Sequence, residues 1–179
     1  GLMISLMRSI QIANLKMHQG NWNRFFGKRF SHLTIGIIGI GRIGKRVIRH
    51  LSGFDCREIL VNDLIEKNDT LFPGQLKWVD KETIYKKCDI ISLHLPLNNK
   101  TNNMIGSEQI ELMKNGVMLI NTSRGGIINE NDLYHGLNSG KVGSAAIDVF
   151  EEEPYKGELS LLDNCLITSH MGSMTEDCR

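Results

Sequence analysis

A glycine-rich segment at residues 39–44 has the spacing GxGxxG. It follows a short apolar run and precedes a run with helical periodicity, the context in which this spacing binds the pyrophosphate of a dinucleotide. The first glycine permits a tight turn, the second lets the backbone approach the phosphates, and the third lets the helix pack closely on the strand. Free N–H groups at the helix N-terminus then favour negative charge. We assign cofactor binding to Gly39, Gly41, Arg42, Ile43 and Gly44.

An acidic residue, Asp63, ends the second predicted strand about 20 residues after the glycine segment, where an acid accepts hydrogen bonds from the adenosine ribose. A carboxylate there would repel a 2′-phosphate, so NAD is favoured over NADP. Leu64 follows it, and no arginine stands directly after Asp63 to hold such a phosphate. The alternative is that Asp63 caps the following turn.

Three further polar segments each follow a predicted strand. Residues 121–126 contain Arg124, residues 148–154 contain Glu153, and residues 168–172 contain His170. In an open α/β sheet, ligands bind beyond the carboxyl ends of the strands. These three side chains are therefore predicted to converge where the nicotinamide of a dinucleotide would lie.

The elements that position these residues alternate between strand and helix. Six apolar runs predict strands at residues 33–38, 58–61, 89–94, 117–120, 144–147 and 166–168. Helical patterns lie between them at residues 42–51, 81–87, 107–113 and 129–137, with Ser107 as an N-cap. This order predicts an α/β fold, a Rossmann-type doubly wound parallel sheet with helices on both faces, forming one domain over residues 1–179. The loosest connection is expected at residues 68–74.

An amphipathic helix is predicted before the first strand. Apolar residues recur there at steps of three and four, and the helix ends at residues 20–21; the face comprises Met3, Leu6, Ile10, Ala13 and Met17. Two interpretations remain open: the helix packs on its own domain, or it docks on another subunit. We expect Leu6, Ile10 and Met17 to be exposed, which is consistent with a homodimer.

Taken in order, these motifs resemble the NAD-binding domain of the D-isomer specific 2-hydroxyacid dehydrogenases, a family that includes D-3-phosphoglycerate dehydrogenase. The resemblance covers essentially the whole chain. It includes residues 20–22 (Gly-Asn-Trp), similar to the family's GxW segment, and residues 94–97 (His-Leu-Pro-Leu), similar to its HxPL segment. It implies an NAD-dependent oxidoreductase acting on a CH–OH group, with hydride transfer between NAD(H) and a 2-hydroxy or 2-keto acid.

The resemblance also implies catalytic roles for three residues. Arg124 is similar to the arginine that binds the substrate carboxylate and polarises the carbonyl, a task that suits the charged fork of a guanidinium. His170 is similar to the general acid and base. Glu153 is similar to the carboxylate that pairs with this histidine and raises its pKa. Glu151 and Glu152 compete for that role, but only Glu153 directly precedes Pro154, as the family pattern requires.

Further cofactor contacts follow from the same resemblance. Asp148 is similar to the aspartate that meets the nicotinamide amide, and His94 lines the cleft without taking part in the chemistry. The remaining residues assigned to the cofactor are Pro96, Thr101, Thr122, Ser123, Arg124, His170 and Gly172. No metal site is expected. Ser169 stands where the family commonly has proline, so the backbone before His170 is less constrained.

Two functional classes remain after these motifs. The first is a metabolic oxidoreductase, of which this chain is the cofactor-binding domain, without the flanking substrate-binding domain. The second is a non-catalytic NAD-sensing binding protein of the corepressor type. The identity of the 2-hydroxy acid is not readable from these residues.

The composition argues against other partners. The formal net charge is +1, which gives no electrostatic indication of nucleic acid or an anionic membrane surface. We find no signal peptide or membrane-spanning run. The four cysteines at positions 56, 88, 165 and 178 form no CxxC pair, and we expect them to be reduced thiols in a cytoplasmic protein.

Overall fold

The structure, a computed structural model, describes residues 1–64 and 76–176. Two sequence-based expectations lie outside these residues, namely the loose connection at residues 68–74 and the thiol of Cys178. Within them, the cysteines Cys56, Cys88 and Cys165 are free thiols. No helix in the described ranges is long and apolar enough to cross a bilayer.

Helices and strands alternate after an N-terminal pair of helices. The helices are α1 (Leu2–Met7), α2 (Ile10–His18), α3 (Arg42–Leu51), α4 (Lys81–Lys87), α5 (Ser107–Leu112) and α6 (Glu130–Ser139). The strands are β1 (Thr34–Ile38), β2 (Glu58–Asn62), β3 (Leu76–Trp78), β4 (Ile90–Leu93), β5 (Val117–Asn121), β6 (Val142–Ile147) and β7 (Cys165–Ile167). Short 3₁₀ helices lie at Phe30–His32, Ser52–Phe54 and Glu158–Leu161.

The strands form one parallel sheet in the order β3-β2-β1-β4-β5-β6-β7. The strand order reverses between β1 and β4, as in the doubly wound dinucleotide-binding fold. Core packing covers both faces of the sheet. Val117 and Leu119 of β5 pack in one apolar cluster, while Met118 and Ile120 pack in the other. The α/β doubly wound fold predicted from the sequence is confirmed.

The sheet has seven strands among the described residues, one more than the six runs that the sequence indicated. The strand that the sequence did not indicate is β3, which pairs with β2 through Leu76 opposite Ile59. It is three residues long and lies at the edge of the sheet. A run this short has too few positions to show alternation, and its strand conformation depends on pairing with β2.

The N-terminal amphipathic helix is two helices rather than one, which corrects the prediction. The break falls at Ser9, whose φ of 51° is left-handed and ends regular helical geometry. Leu6 is partly buried against the core, contrary to the expectation that it is exposed. The nine residues of α2, all of them described, include none that is buried, and Ile10 and Met17 are 48% and 50% exposed. The first helix therefore packs on its own domain, and the second leaves an apolar face uncovered.

The predicted N-cap of α5 is also corrected. Gly106, not Ser107, is the N-cap, and Ser107 is the first helical residue. The backbone N–H of Gly106 donates to Gln109 Oε1 at 3.0 Å, and that of Ser107 donates to Asp132 Oδ2 at 2.9 Å. The helix therefore begins at residue 107 as predicted, but its N-cap lies one residue earlier, and the side chains of Gln109 and of Asp132 in α6 bind the N–H groups of Gly106 and Ser107.

Candidate active site

The carboxyl ends of six strands lie in one continuous row. The parallel register pairs Asn62 with Ile38, Ile38 with Leu93, and so on across the sheet to Ile167; the full row is Asn62, Ile38, Leu93, Asn121, Ile147 and Ile167. The residues that directly follow are Asp63, Gly39, His94, Thr122, Asp148 and Thr168. Five of these six were assigned to the site from the sequence. The register thus brings residues far apart in sequence to one edge.

The glycine segment leaves this edge between β1 and α3. Gly39 has a φ of +97°, and a Cβ there would lie 2.3 Å from the carbonyl oxygen of His94. A Cβ on Gly44 would lie 2.0 Å from the carbonyl oxygen of Gly39, so both positions require glycine. A Cβ on Gly41 would meet no atom within 4 Å. Gly41 therefore presents bare backbone to open space, as the approach of a pyrophosphate requires.

The N-terminus of α3 is suited to an anion. Its N-cap is Gly41, which has no side chain to bond the N–H groups of the first turn. Arg42 and Ile43 follow at exposed positions, with Ile43 55% exposed. The helix is ten residues long, so its N-terminus combines unbonded N–H groups with the positive end of a helix dipole.

Asp63 is connected to the glycine segment. Its Oδ2 accepts a hydrogen bond from the backbone N–H of Ile40 at 2.7 Å, and its Oδ1 accepts one from Leu64 at 2.6 Å. The carboxylate therefore contacts the following residue, as in the alternative capping role, and also fixes the loop beside it. An ionised carboxylate has about four acceptor positions, so these two bonds leave acceptors for ribose hydroxyls.

The loop that carries Arg124 is organised by Asn121, a buried polar residue that is 2% exposed. The Asn121 Oδ1 accepts from the backbone N–H and the hydroxyl of Ser123 at 3.1 and 2.8 Å, and its Nδ2 donates to the carbonyl of Arg124 at 2.9 Å. The Arg124 guanidinium is exposed and donates to the carbonyl of Ser123 at 2.6 Å. Asn121 thus fixes the turn, and the turn presents the guanidinium beyond the edge of the sheet.

The Arg124 loop touches the loop that follows β6. A Cβ on Gly125 would lie 1.8 Å from the carbonyl oxygen of Phe150, so only glycine permits this approach. The second loop is also tied to α6, because Glu130 Oε1 accepts from the backbone N–H of Glu151 at 2.7 Å. Burial raises the pKa of the Glu130 carboxyl. These contacts bring the segment that contains Glu153 alongside Arg124.

Glu153 and His170 form a side-chain pair. The Nδ1 of His170 lies 2.9 Å from Oε2 of Glu153, and the side chains are 48% and 38% exposed. The hydrogen bond with His170 lowers the pKa of the Glu153 carboxyl, and the backbone N–H of Phe150, which donates to Oε1 at 3.1 Å, adds to this. Because an ionised carboxylate only accepts, Nδ1 carries the proton, which leaves Nε2 for a substrate. Among the three consecutive glutamates, Glu153 is the one that contacts the histidine.

Asp148 is 3% exposed, and its carboxylate binds the segment that contains His170. The Oδ1 accepts from the hydroxyl of Thr168 at 2.5 Å and from the backbone N–H of Met171 at 2.9 Å. The Oδ2 accepts from the backbone N–H of Gly172 at 2.9 Å. Asp148 and Gly172, both predicted to contact the cofactor, are thus hydrogen-bonded to each other.

The His94 segment lies at the same edge. The Nε2 of His94 is 3.0 Å from the hydroxyl of Ser92, and burial lowers the pKa of His94 to about 4. The imidazole is therefore neutral at neutral pH, consistent with a residue that lines a cleft rather than one that exchanges protons. The hydroxyl of Thr101 donates to the carbonyl of Pro96 at 2.7 Å and accepts from the N–H of Asn98 at 2.9 Å, which holds this loop in shape.

The three residues predicted to carry the chemistry line one open cleft of about 490 Å³. Arg124, Glu153 and His170 meet there with Phe150 and Leu97. The cleft lies past the strand ends, next to the loops already described. A guanidinium that can bind a carboxylate therefore stands in the same space as an imidazole whose outer nitrogen can exchange a proton.

Three residues that shape this site were not among those assigned from the sequence. Asn121, Glu130 and Thr168 each bond a loop that carries a predicted residue. Asn121 belongs to the row of strand ends and Thr168 directly follows it, and these positions are a signal available from the sequence. Glu130 gives no such signal, because its role depends on how α6 packs beside the loop at residues 148–154.

Comparison with known proteins gives consistent results. Residues 1–172 match the family model described as D-isomer specific 2-hydroxyacid dehydrogenase, NAD binding domain. The chain is 40% identical to D-3-phosphoglycerate dehydrogenase of Methanocaldococcus jannaschii, over 100% of this chain and 35% of that protein. It is 38% identical to hydroxypyruvate reductase of Thermotoga maritima, over 100% of this chain and 59% of that protein. The chain thus spans about one third of the length of the first relative and about three fifths of the length of the second.

Solved structures give the same result. A glyoxylate reductase from Paecilomyes thermophila superposes with a TM-score of 0.89 at 31% identity, covering 99% of this chain and 54% of the other. A D-lactate dehydrogenase from Aquifex aeolicus, in complex with NAD and lactic acid, superposes with a TM-score of 0.88 at 29% identity, covering 98% and 58% of the two chains.

The pairing of Glu153 with His170 predicts a measurable shift. In His170→Ala, we expect the pKa of Glu153 to rise toward its ordinary value but to remain below it, because the N–H of Phe150 still donates. Since the folded pKa is the lower one, the stabilisation by this pair is present above the ordinary glutamate pKa and is lost as the pH falls through the folded value. A ¹³C NMR titration of the carboxyl groups measures this. His135→Ala, at an exposed position of α6, is the control, and an unchanged Glu153 titration in His170→Ala would contradict the pairing.

Proposed function

This chain belongs to the D-isomer specific 2-hydroxyacid dehydrogenase family as its NAD-binding domain, and we propose that it holds NAD and positions a 2-hydroxy or 2-keto acid for hydride transfer to or from that cofactor, with its own residues exchanging the proton. One observation carries this proposal. Arg124, Glu153 and His170 line a single cleft at the carboxyl edge of the sheet, and the glycine loop leaves the sheet at the same edge. The relatives extend beyond the matched region. We therefore also propose that a second, substrate-binding domain accompanies this one in the complete protein.

The cofactor fits the edge of the sheet. The bare backbone of Gly41 and the N-terminus of α3 would receive the pyrophosphate, and Asp63 would bind the ribose hydroxyls. His94 and Pro96, with Thr101 holding their loop, would line the cleft on one side, and Thr122 and Ser123 would line it on the other. When bound, the nicotinamide supplies or accepts the hydride.

The chain's own residues do the remaining work. The Arg124 guanidinium would bind the substrate carboxylate and draw electron density from the adjacent carbonyl. His170 Nε2 would give a proton to the carbonyl oxygen as hydride reaches the carbon, which balances the two-electron reduction to a hydroxyl group. In the oxidative direction the same nitrogen takes that proton back. The Glu153 carboxylate would hold Nδ1 and stabilise the imidazolium that results.

A homodimer is proposed as well. Exposed apolar side chains are concentrated on α2 and the segment after it, with Trp22 75% exposed and Phe26 102% exposed. An apolar surface of this kind is typical of an association site. We also propose a cytoplasmic location, supported by the free thiols of Cys56, Cys88 and Cys165, which cell fractionation would test.

The choice between NAD and NADP gives the first test. We expect NADH to bind the chain at least about tenfold more tightly than NADPH, because the Asp63 carboxylate repels a 2′-phosphate. Asp63→Asn should narrow this ratio, mainly by strengthening NADPH binding. Fluorescence titration measures both affinities. The control is Asp55→Asn, at a left-handed position that asparagine tolerates. Equal affinities in the unaltered chain would contradict the assignment of Asp63.

The acid–base role is tested by turnover of the complete protein with NADH and a panel of 2-keto acids. His170→Gln should lower kcat by about 10²- to 10⁴-fold, the usual contribution of a positioned acid–base group. The affinity for NADH should change little. His135→Gln, an exposed histidine on α6, is the matched control. NADH binding without turnover of any acid in the unaltered protein would favour the non-catalytic, NAD-sensing alternative.

The dimer is tested by sedimentation of the purified chain. We expect a dimer, and we expect Ile10→Lys to yield a monomer, because it places a charge on the exposed face of α2. Leu112→Lys alters another exposed leucine, 41% exposed, on α5, whose Ile110 packs in the apolar cluster on the opposite face of the sheet from Met7 of α1, and it should remain dimeric. A monomeric unaltered chain would be evidence against this interface.

A further inference from the structure

The segment at residues 168–172 holds His170 in a backbone conformation that needs support. His170 has a φ of +52°, in the left-handed region that a residue with a side chain adopts infrequently. Ser169 precedes it, so no proline ring restricts the backbone at that position. The side chain is held at Nδ1 by Glu153, but that contact alone does not fix the backbone on either side.

Asp148 supports the backbone of the segment at residues 168–172. Its buried carboxylate accepts from the hydroxyl of Thr168, two residues before His170, and from the N–H groups of Met171 and Gly172, directly after it. These bonds enclose His170 from both sides in sequence. A carboxylate that accepts several such bonds is a strong local anchor, because hydrogen bonds to a charged acceptor are stronger than neutral ones.

We propose that Thr168 is a positioning residue, which orients the Asp148 carboxylate so that this carboxylate fixes the segment bearing His170. The inference deepens the proposed function and rests on it for the role of His170. Thr168 itself lies outside the set of residues that the proposed function places against cofactor or substrate.

The register of the sheet explains why Thr168 can orient Asp148. Asp148 follows β6 and Thr168 follows β7, and the last residues of these strands, Ile147 and Ile167, are paired. The N–H of Thr168 donates to the carbonyl of Ile147 at 3.0 Å, so Thr168 still belongs to the hydrogen-bonded sheet. The backbone of Thr168 is therefore held in place, and its hydroxyl fixes the rotation of the Asp148 carboxylate. In that orientation the two carboxylate oxygens accept from the backbone N–H groups of Met171 and Gly172.

This arrangement is compatible with a contact between Asp148 and the nicotinamide amide. A carboxylate has about four acceptor positions, and the bonds to Thr168, Met171 and Gly172 use three of them. The fourth acceptor position lies on Oδ2 and would accept one N–H of the nicotinamide amide. The same carboxylate would then touch both the cofactor and the segment that holds the acid–base residue.

The experiment compares Thr168→Val, which removes the hydroxyl at nearly constant shape, with Thr168→Ser, which retains it. Amide hydrogen exchange of Met171 and Gly172 is measured by NMR on this chain, together with the ¹⁵N signals of the His170 imidazole. We expect valine to speed the exchange of both amides by about tenfold, the effect of losing one hydrogen bond to a charged group. The imidazole signals should move away from their unaltered positions. Serine should restore both.

The result that would overturn the proposal is unchanged exchange and unchanged imidazole signals in Thr168→Val. Asp148→Asn provides a second variant, because the NH₂ group of the asparagine side chain would face the N–H of Gly172 and could not accept a hydrogen bond from it. It should increase exchange at Gly172, and protection equal to that of the unaltered chain would also overturn the proposal. These measurements need no turnover, so they stand whether or not the proposed activity is found.

A kinetic comparison uses the complete protein. Thr168→Val should lower kcat about tenfold while the affinity for NADH stays within about twofold, since the contacts proposed for Gly41 and Asp63 with the cofactor are unchanged. Thr168→Ser should recover most of kcat. Equal losses in kcat and in NADH affinity would indicate a general structural defect and would overturn the positioning role.

Discussion

The arrangement of the site depends on the parallel register that ends six strands in one row. Parallel strands place all their carboxyl ends at one edge, so each loop that leaves this edge starts beside its neighbours. Asp148 and Thr168, 20 residues apart in sequence, become hydrogen-bonded partners in this way. Arg124 and His170 reach one cleft for the same reason. A slip of the register by one residue would turn the side chains at the strand ends to the opposite face of the sheet.

The site also requires backbone segments of neighbouring loops to lie in close contact. A Cβ would collide with a carbonyl oxygen at Gly39, Gly44 and Gly125, at distances of 2.3, 2.0 and 1.8 Å. The first two glycines let the phosphate-binding turn form, and the third lets the Arg124 loop reach the loop that carries Glu153. Buried polar groups then hold these loops in place. Asn121 hydrogen-bonds the loop that carries Arg124, and Asp148 hydrogen-bonds the segment that carries His170.

The sequence predicts those features that short-range patterns specify. The glycine spacing, the apolar strand runs and the charged residues after strands gave the fold and the residues that line the cleft. Features set by tertiary contacts were missed. The edge strand β3 depends on pairing with β2, and the N-cap of α5 is displaced from Ser107 to Gly106 because Asp132 of α6 bonds the Ser107 N–H. Glu130 was missed for a similar reason, since its partner Glu151 lies in another element.

In the proposed complex, the glycine loop holds the pyrophosphate of NAD and the nicotinamide lies between Arg124 and His170. Intermolecular nuclear Overhauser effects between NADH and the isotope-labelled chain would detect this arrangement. We expect contacts from the C4 protons of the nicotinamide to the imidazole protons of His170, with the adenosine near Asp63. Binding of NADH with the nicotinamide contacting neither Arg124 nor His170 would contradict it.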